Sequence, residues 1–200
     1  MTDNKYNFIE VCAGCGGLSS GLMKAGLIPK LLNDINKDCC ETLKLNHVDS
    51  KVKCCSMEKL NISKYKNKID LLAGGIPCQS FSLSGMRKGF DDERGTLIYT
   101  FIEMINKLEP KIIMIENVKG LLSHNNGETI KEFITRLNES NLYNIQYRLI
   151  NSVNYKVPQK RERVIIIGVL KKYDVKFKFP KKSDTIINLE SVLTNVPDSG

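Results

Sequence analysis

The chain has 200 residues, of which 42% are hydrophobic and 26% are charged. This length suits one domain with a sizeable apolar core, and the composition is ordinary for a soluble globular protein, which argues against a disordered or fibrous chain. Thirty Lys and Arg residues against 22 Asp and Glu residues give a formal net charge of +8. That charge favours an anionic partner such as nucleic acid, although much of the lysine can equally be a solvated surface.

The seven cysteines and the lack of an apolar segment at the start predict a reducing compartment, the cytoplasm or nucleus. No run of about 18 apolar residues occurs, so no membrane span is expected. Cys12 and Cys15 have the spacing of metal ligands, but no second pair or histidine cluster completes a site. The other close cysteines are adjacent in sequence, which suits zinc poorly. We therefore expect no metal site.

The hydrophobic pattern alternates between strands and helices along the chain. It predicts strands at 6–12, 27–33, 51–54, 69–75, 112–115, 145–153 and 163–170, and helices at 18–26, 36–46, 95–107 and 128–140. Such alternation indicates an α/β sandwich with a mainly parallel sheet and helices on both faces. The last two strands share a short link, so we expect an antiparallel pair there. Residues 1–170 would form the core, and the basic segment 171–200 a linker.

The first predicted strand runs into a glycine-rich turn, Ala13-Gly14-Cys15-Gly16-Gly17. Glycines between a strand and a helix allow a tight turn and a close approach of the backbone to a ligand. Asp34 comes 20 residues after Gly14, about where nucleotide-binding folds place a carboxylate for ribose hydroxyls. A glycine cluster alone is a weak signal, because any sharp turn from strand to helix can use one. Asp34 can instead cap the helix that follows.

Cys78 follows the fourth predicted strand and comes directly after Pro77. Proline has no N–H for the ladder, so the backbone should leave the sheet there. Most cysteines are small buried hydrophobes, but a thiol in a polar loop at this edge of a sheet is a candidate nucleophile.

Glu116, with Asn117 and Val118, ends the next strand, after four apolar residues. We expect this carboxyl group to be partly buried, where it can carry a proton near neutrality. The alternative is an acid with a purely structural role at a strand end. Because the carboxyl ends of parallel strands meet at one edge, the order of elements brings Cys78 and Glu116 together.

Four stretches resemble motifs of the C5-cytosine methyltransferase family, in the family's order. They are residues 8–17, Pro77-Cys78-Gln79-Ser80-Phe81-Ser82, Glu116-Asn117-Val118, and the Gln-x-Arg-x-Arg motif at 159–163. The resemblance covers the whole chain but only the first part of a typical family member. It implies a Rossmann-like core that uses S-adenosyl-L-methionine. Cys12 departs from the pattern, since the family usually has a phenylalanine there that packs on the cofactor.

The resemblance also implies roles for individual residues. Cys78 would attack C6 of a flipped cytosine, Glu116 would hold N3 and the exocyclic amine, and Arg161 and Arg163 would orient Glu116 and stabilise the base and its phosphate. The implied cofactor site consists of Ala13, Gly14, Cys15, Gly16, Gly17, Asp34, Ser56, Met57, Pro77 and Leu97. Ser56 stands where the family often has an aspartate. The implied nucleic-acid contacts are Gln79, Ser82, Ser84, Arg87, Lys88, Asn117 and Val118.

In the family, a target-recognition domain and a closing asparagine-bearing motif normally follow, and neither is found in these residues. Residues 184–198 resemble the linker that leads to them. Three functions stay open. The first is the core of a DNA cytosine-5 methyltransferase, either truncated or completed by a second polypeptide. The second is a transfer RNA cytosine-5 methyltransferase. The third is a non-catalytic module that binds cofactor or DNA. The form of Gln79-Ser80-Phe81-Ser82 favours the DNA enzymes.

Overall fold

A computed structural model describes residues 6–77 and 93–193 of the chain. The strands are β1 (Asn7–Val11), β2 (Ile28–Asp34), β3 (Val52–Cys54), β4 (Leu71–Gly74), β5 (Ile112–Val118), β6 (Tyr143–Asn151) and β7 (Glu162–Leu170). The α-helices are α1 (Gly17–Lys24), α2 (Lys37–Asn46), α3 (Glu93–Leu108) and α4 (Glu128–Asn138). Short 3₁₀ turns lie in several of the connections.

The strands form one seven-stranded sheet in the order β3-β2-β1-β4-β5-β7-β6. β1 to β5 are mutually parallel, whereas β7 is antiparallel to both β5 and β6. The expected mainly parallel sheet and the expected antiparallel pair are confirmed. The chain order reverses between β1 and β4, and open α/β sheets bind ligands in the crevice at such a switch point.

The central strands are buried because helices cover both faces of the sheet. Every residue of β4 is buried, as the continuous apolar run of a central parallel strand predicts. On one face, Phe101 of α3 and Phe133 of α4 pack in a core cluster with Ile9 and Leu72. On the other face, Leu43 of α2 belongs to a second cluster, against which α1 packs. No helix of the described residues is long and apolar enough to cross a membrane.

Two segments differ from the sequence expectation in ways that shape the site. β5 continues through Val118, so Glu116 lies inside a strand and pairs in register with Ile165.

After β7 the chain returns to the opposite edge of the sheet, where Ser183 N donates to Asn154 O at 2.8 Å and Tyr155 Oη to Pro180 O at 3.4 Å. Residues 181–183 therefore lie beside the β6–β7 link, at the edge that carries the carboxyl ends of β5 and β6. The predicted boundary between core and linker at residue 170 stays a prediction.

Candidate active site

The glycine turn and Glu116 meet at the carboxyl ends of β1, β4 and β5. Gly75 lies between them: a Cβ built on Gly75 would be 3.4 Å from Cys12 O and 3.9 Å from Glu116 Oε2. These two sites, predicted separately from sequence, are therefore neighbours across a single residue. The adjacency follows from the switch point, because β1 and β4 are paired in the sheet although α1, β2, α2 and β3 separate them in sequence.

Glu116 forms an ion pair with Arg163. Arg163 Nε lies 2.8 Å from Glu116 Oε1, and the two side chains are 25% and 28% exposed. The Nε–H is not aligned with a hydrogen-bond acceptor, so the contact is electrostatic. Arg163 Nη1 also donates to Glu162 O at 2.8 Å, which fixes the guanidinium plane. The partial burial expected for Glu116 is observed, and the carboxylate keeps a solvent-facing side.

Asn117 takes a position different from the one expected for a substrate contact. Its side chain is 2% exposed, and Nδ2 donates to Ile76 O at 2.7 Å. The backbone just before Pro77 is thereby tied to β5, across 41 residues of sequence. Val118 is 42% exposed and remains accessible. Asn117 fits a positioning residue for the segment that leads to residue 78, and its predicted direct contact with substrate stays a prediction.

Several predicted residues fall outside this cluster. Arg161 is exposed, its backbone N–H donates to Ser152 Oγ at 3.1 Å, and it forms no ion pair with a described residue. The predicted nucleophile and the predicted nucleic-acid contacts of the following loop lie outside the described residues. They are Cys78, Gln79, Ser82, Ser84, Arg87 and Lys88.

The glycine turn is held by backbone hydrogen bonds and by the carboxylate of Asp34. Ala13 N donates to Asn33 O at 3.0 Å, and Gly14 N donates to Asp34 Oδ2 at 2.8 Å. Gly16 has φ +87°, and a Cβ there would lie 2.5 Å from Nε2 of the buried His47. Only glycine therefore fits position 16 without a shift of its neighbours.

Asp34 does not cap α2 in the manner considered from sequence. The N-cap is Asn36, whose side chain accepts from Cys39 N at 3.0 Å. Asp34 Oδ1 accepts from Asn36 N at 2.9 Å, while its other oxygen holds the glycine turn. The carboxylate joins the two segments and stays half-exposed, with lone pairs left for a ligand.

The remaining predicted cofactor residues differ in accessibility. Pro77, Cys15 and Gly17 are exposed, and Ser56 and Leu97 are half-buried. Met57 is 3% exposed and belongs to the core, so its side chain offers little surface to a ligand.

Two residues beside Asp34 were not predicted from the sequence. Asn33 is 1% exposed, and its Nδ2 donates to Lys53 O at 2.9 Å and to Cys55 O at 2.8 Å, which fixes the backbone before Ser56. The sequence does show an amide side chain at the end of an apolar strand, and this pattern could have indicated a structural role for Asn33. Ile35 is 71% exposed directly after Asp34. Its exposure depends on the tertiary fold, and no sequence pattern reveals it.

Glu10, which lies within β1 and is 1% exposed, was not predicted from the sequence either. Ser19 Oγ of α1 donates a hydrogen bond to Glu10 Oε2. Burial raises the pKa of the Glu10 carboxyl from 4.5 to about 7, because desolvation disfavours its charged form more than the bond from Ser19 stabilises it. A proton is therefore held under the glycine turn at mildly acidic pH.

We expect Glu10 to make the stability of the fold pH-dependent. Between pH 4.5 and about 7 the folded chain binds more protons at Glu10 than the unfolded chain does, so stability falls as pH rises through this window. The loss should be roughly 3 kcal/mol. Urea unfolding of the wild type and of Glu10→Gln across these pH values measures it.

The Glu10→Gln variant should lack this decline, because an amide cannot ionise. Glu58→Gln removes the same charge from an exposed position and should keep the wild-type profile. A Glu10→Gln variant with the full wild-type slope would show that another group causes the pH dependence.

Five exposed cations form a basic surface at the same edge of the sheet, on the β6–β7 link and on the returning segment. They are Lys156, Lys160, Arg161, Lys181 and Lys182. None forms an ion pair within the part of the chain that the structure describes. Three of them, with Asn154, Ser183 and Asp184, line part of a surface cavity of about 500 Å³. The edge that carries Glu116 therefore has a cluster of exposed cations beside it.

The described residues contain no group of three or more His, Cys, Asp or Glu side chains that could hold a metal ion. Cys12, for which a metal role was considered from sequence, packs partly buried against the core. Burial raises the pKa of its thiol to about 12, so the thiol stays protonated at neutral pH.

Comparison with known proteins places the chain among cytosine methyltransferases. The profile of the family described as C-5 cytosine-specific DNA methylase matches residues 6–199. The type II methyltransferase M.Eco47II of Escherichia coli is 38% identical over 100% of this chain and 50% of its own length. M.Sau96I of Staphylococcus aureus is 41% identical over 88% of this chain and 42% of its own length. The chain thus spans about half the length of these curated relatives.

Solved structures agree on the fold. A DNA modification methyltransferase encoded within an E. coli prophage superposes with a TM-score of 0.81 at 27% identity, over 97% of this chain and 56% of that one. A variant of Spodoptera frugiperda DNMT2 superposes with a TM-score of 0.70 at 24% identity, over 92% of this chain and 55% of that one. The second likeness shows the fold alone. The Rossmann-like methyltransferase core expected from the sequence is confirmed.

Proposed function

Because the chain belongs to the C-5 cytosine-specific DNA methylase family, we propose that it is the catalytic core of an enzyme that methylates C5 of cytosine in DNA. The proposal rests on the ion pair of Glu116 with Arg163. Only Gly75 separates Glu116 from the glycine turn, which is hydrogen-bonded to Asp34. A carboxyl group for the base and a turn for a cofactor thus share one edge of the sheet. A module that bound only cofactor would not need Glu116 there.

The cofactor proposed for this turn is S-adenosyl-L-methionine, and the residues present fit it. Gly14 has a positive φ and no neighbouring atom within 4 Å of a Cβ built there, so the turn is open at this residue for close approach by a ligand. Asp34, half-exposed and already oriented by two N–H donors, suits ribose hydroxyls. The exposed Ile35 offers an apolar surface to the adenine ring, and Ser56 a hydroxyl near it. When bound, the cofactor supplies an electrophilic methyl group.

The chain's own residues would perform the other steps. The Cys78 thiolate adds to C6 of a flipped cytosine, and the electrons of the C5–C6 double bond become available at C5. Glu116, oriented by Arg163, holds N3 and the exocyclic amine and so stabilises the charge that develops on the ring. After C5 has gained the methyl group, a base removes the C5 proton and the S–C6 bond breaks. This last step regenerates the double bond and the thiolate.

Target recognition is proposed to come from outside these 200 residues, because the relatives are about twice as long as this chain. A further segment or a second polypeptide would supply it, with residues 171–200 as the linker. DNA as substrate is consistent with a location in the cytoplasm or nucleus.

The test of the proposal is transfer of labelled methyl from S-adenosyl-L-methionine to duplex DNA and to transfer RNA. The chain is assayed alone and mixed with any polypeptide encoded just downstream. Label in DNA supports the proposal, and label only in the mixture establishes a split enzyme. Label in transfer RNA alone would show that the substrate is RNA and that the proposed DNA substrate is wrong. Cofactor binding without methyl transfer to DNA or transfer RNA would indicate a non-catalytic module.

The basic surface is proposed to contact the phosphates that flank the flipped cytosine. Its five cations lie at the edge that carries Glu116, and none of them forms an ion pair with a described residue. Each Lys or Arg that meets a phosphate releases a counterion, so its contribution appears in the salt dependence of binding. Arg161, which forms no ion pair with Glu116, fits this role better than the orientation of Glu116.

We expect the double variant Lys181→Gln/Lys182→Gln to bind duplex DNA more weakly and with a salt slope smaller by about 2. Lys171→Gln/Lys172→Gln loses the same charge at the opposite edge of the sheet and should change the slope less. Fluorescence anisotropy of labelled DNA at several KCl concentrations measures both. Equal effects of the two double variants would mean that only net charge matters and would exclude a localised contact.

A further inference from the structure

Four of the cysteines that the structure describes surround Asp34 as two neighbouring pairs. Cys15 Sγ, in the glycine turn, lies 3.8 Å from Cys39 Sγ in the first turn of α2. Cys15 is exposed and Cys39 is half-buried, so small molecules can reach this pair. In the other pair, Cys40 is fully buried and interacts with Cys54. The accessible pair is therefore Cys15 with Cys39.

The backbone around this pair is already fixed on both sides. Asp34 accepts from Gly14 N through one carboxylate oxygen and from Asn36 N through the other. Cys39 N donates to the Asn36 side chain. The two segments that carry the thiols are thus joined through a single carboxylate. The sulfurs must approach to about 2.05 Å to form a disulfide, and rotation of the exposed Cys15 side chain can supply much of that change.

We propose that Cys15 and Cys39 form an oxidation site that controls access to the glycine turn. A small-molecule disulfide is the oxidant: the two protein thiols give up two protons and two electrons, a Cys15–Cys39 bond forms, and two small thiols are released. The inference rests on the proposed cofactor site. It assigns to this dithiol a function that methyl transfer does not require.

The order of the two exchange steps follows from accessibility. Burial and the adjacent Cys15 thiol raise the pKa of Cys39, which keeps Cys39 protonated and slow to attack. Cys15 is the more exposed and attacks the small disulfide first, giving a mixed disulfide and one small thiol. Cys39, held beside it, then displaces the second small thiol. The spacing of the two sulfurs thus favours an intramolecular disulfide over a lasting mixed disulfide.

Closing the bond would oppose cofactor binding. It would tether Cys15 to α2 across the exposed side of Asp34, the carboxylate proposed for the ribose. The coupling is reciprocal by linkage, so bound cofactor should protect the two thiols from oxidation to the same degree. A cofactor turn with this pair would respond both to thiol redox state and to cofactor supply.

The experiment treats the reduced chain with oxidised glutathione and maps disulfides by mass spectrometry after cleavage at Lys and Arg. The expected product joins fragment 6–24 to fragment 38–44 and is two hydrogens lighter than the sum of the free fragments. Cys15→Ser and Cys39→Ser should each abolish it. Cys54→Ser removes another exposed cysteine near Asp34 and should retain it. A joined product that persists in Cys15→Ser, or none in the wild type, would overturn the proposal.

Calorimetric titration with S-adenosyl-L-methionine completes the test. We expect the oxidised chain to bind at least tenfold more weakly than the reduced chain and to recover when dithiothreitol is added. The oxidised Cys54→Ser chain should show the same loss. Unchanged affinity after complete oxidation would refute control of the cofactor turn. A reduced chain that fails to bind the cofactor would instead count against the proposed function, and the disulfide map would still report on the cysteine pair.

Discussion

We expect the Cys78→Ser variant to lose methyl transfer by roughly 10³-fold or more while keeping its affinity for the cofactor. Cytosine C5 is a poor nucleophile until a bond forms at C6, and a serine hydroxyl near neutral pH forms that bond far more slowly than a thiolate. The glycine turn after β1 and Asp34 at the end of β2 would hold the cofactor, and serine keeps nearly the size of cysteine beside Pro77, so binding should be unaffected. Labelled methyl incorporation and calorimetry measure the two properties separately.

Cys54→Ser is the matched control, because it makes the same chemical change at an exposed cysteine outside the proposed reaction. It should transfer methyl groups at the wild-type rate. If Cys78→Ser lost cofactor binding as well as transfer, the cofactor site would be misplaced or the fold would depend on that thiol.

The second large effect should come from Glu116. Glu116→Gln keeps the size of the side chain but removes the charge paired with Arg163 and the proton that a carboxyl group can give to N3. We expect a loss of roughly 10² to 10⁴-fold in kcat/KM for DNA, most of it in kcat. The stability cost should be about 1 kcal/mol or less, because both partners of the ion pair are about one-quarter exposed.

A neighbouring ion pair provides the control for Glu116. Glu162 Oε2 lies 2.9 Å from Lys119 Nζ, and the Lys119 side chain is 59% exposed. Glu162→Gln therefore removes an equivalent charge from an adjacent strand without touching the proposed substrate. Its activity should stay within about twofold of wild type. Comparable losses in both variants would mean that the local field, and no specific contact of Glu116, supports the reaction.

The helices and strands were predictable because each has a local cause. β4 is an apolar run buried throughout, β5 is an apolar run with one buried face, and Pro110 together with the glycine turns separates the elements. β7 is harder, since its place between β5 and β6 depends on pairings over many residues. The contact of Arg163 with Glu116 follows from that placement: Arg163 lies opposite Val118 in register, and Glu116 lies two residues earlier on β5. The sequence motif indicated both residues, but only the register explains why Arg163 and not Arg161 reaches the carboxylate.

The polar residues of the interior were the least predictable part of the site. Glu10 and Asn33 sit in strands whose neighbours are apolar, and a single polar residue in such a run gives no sign of its partner. Ser19 and the carbonyl oxygens of Lys53 and Cys55 satisfy them, and all of these come from other elements of the fold. Asn117 was noticed for its motif, whereas its bond to Ile76 depends on the pairing of β4 with β5.

The position of β7 has a consequence for synthesis on the ribosome. β7 is the last of the described strands in sequence, yet it fills the interior of the sheet between β5 and β6. Until residues 162–170 leave the exit tunnel, β5 lacks one neighbour and β6 has none within the sheet, so the nascent chain exposes apolar strand edges that favour aggregation. Ribosome-arrested chains whose β6 has emerged while β7 is still in the tunnel should therefore engage chaperones more strongly than chains in which β7 has fully emerged.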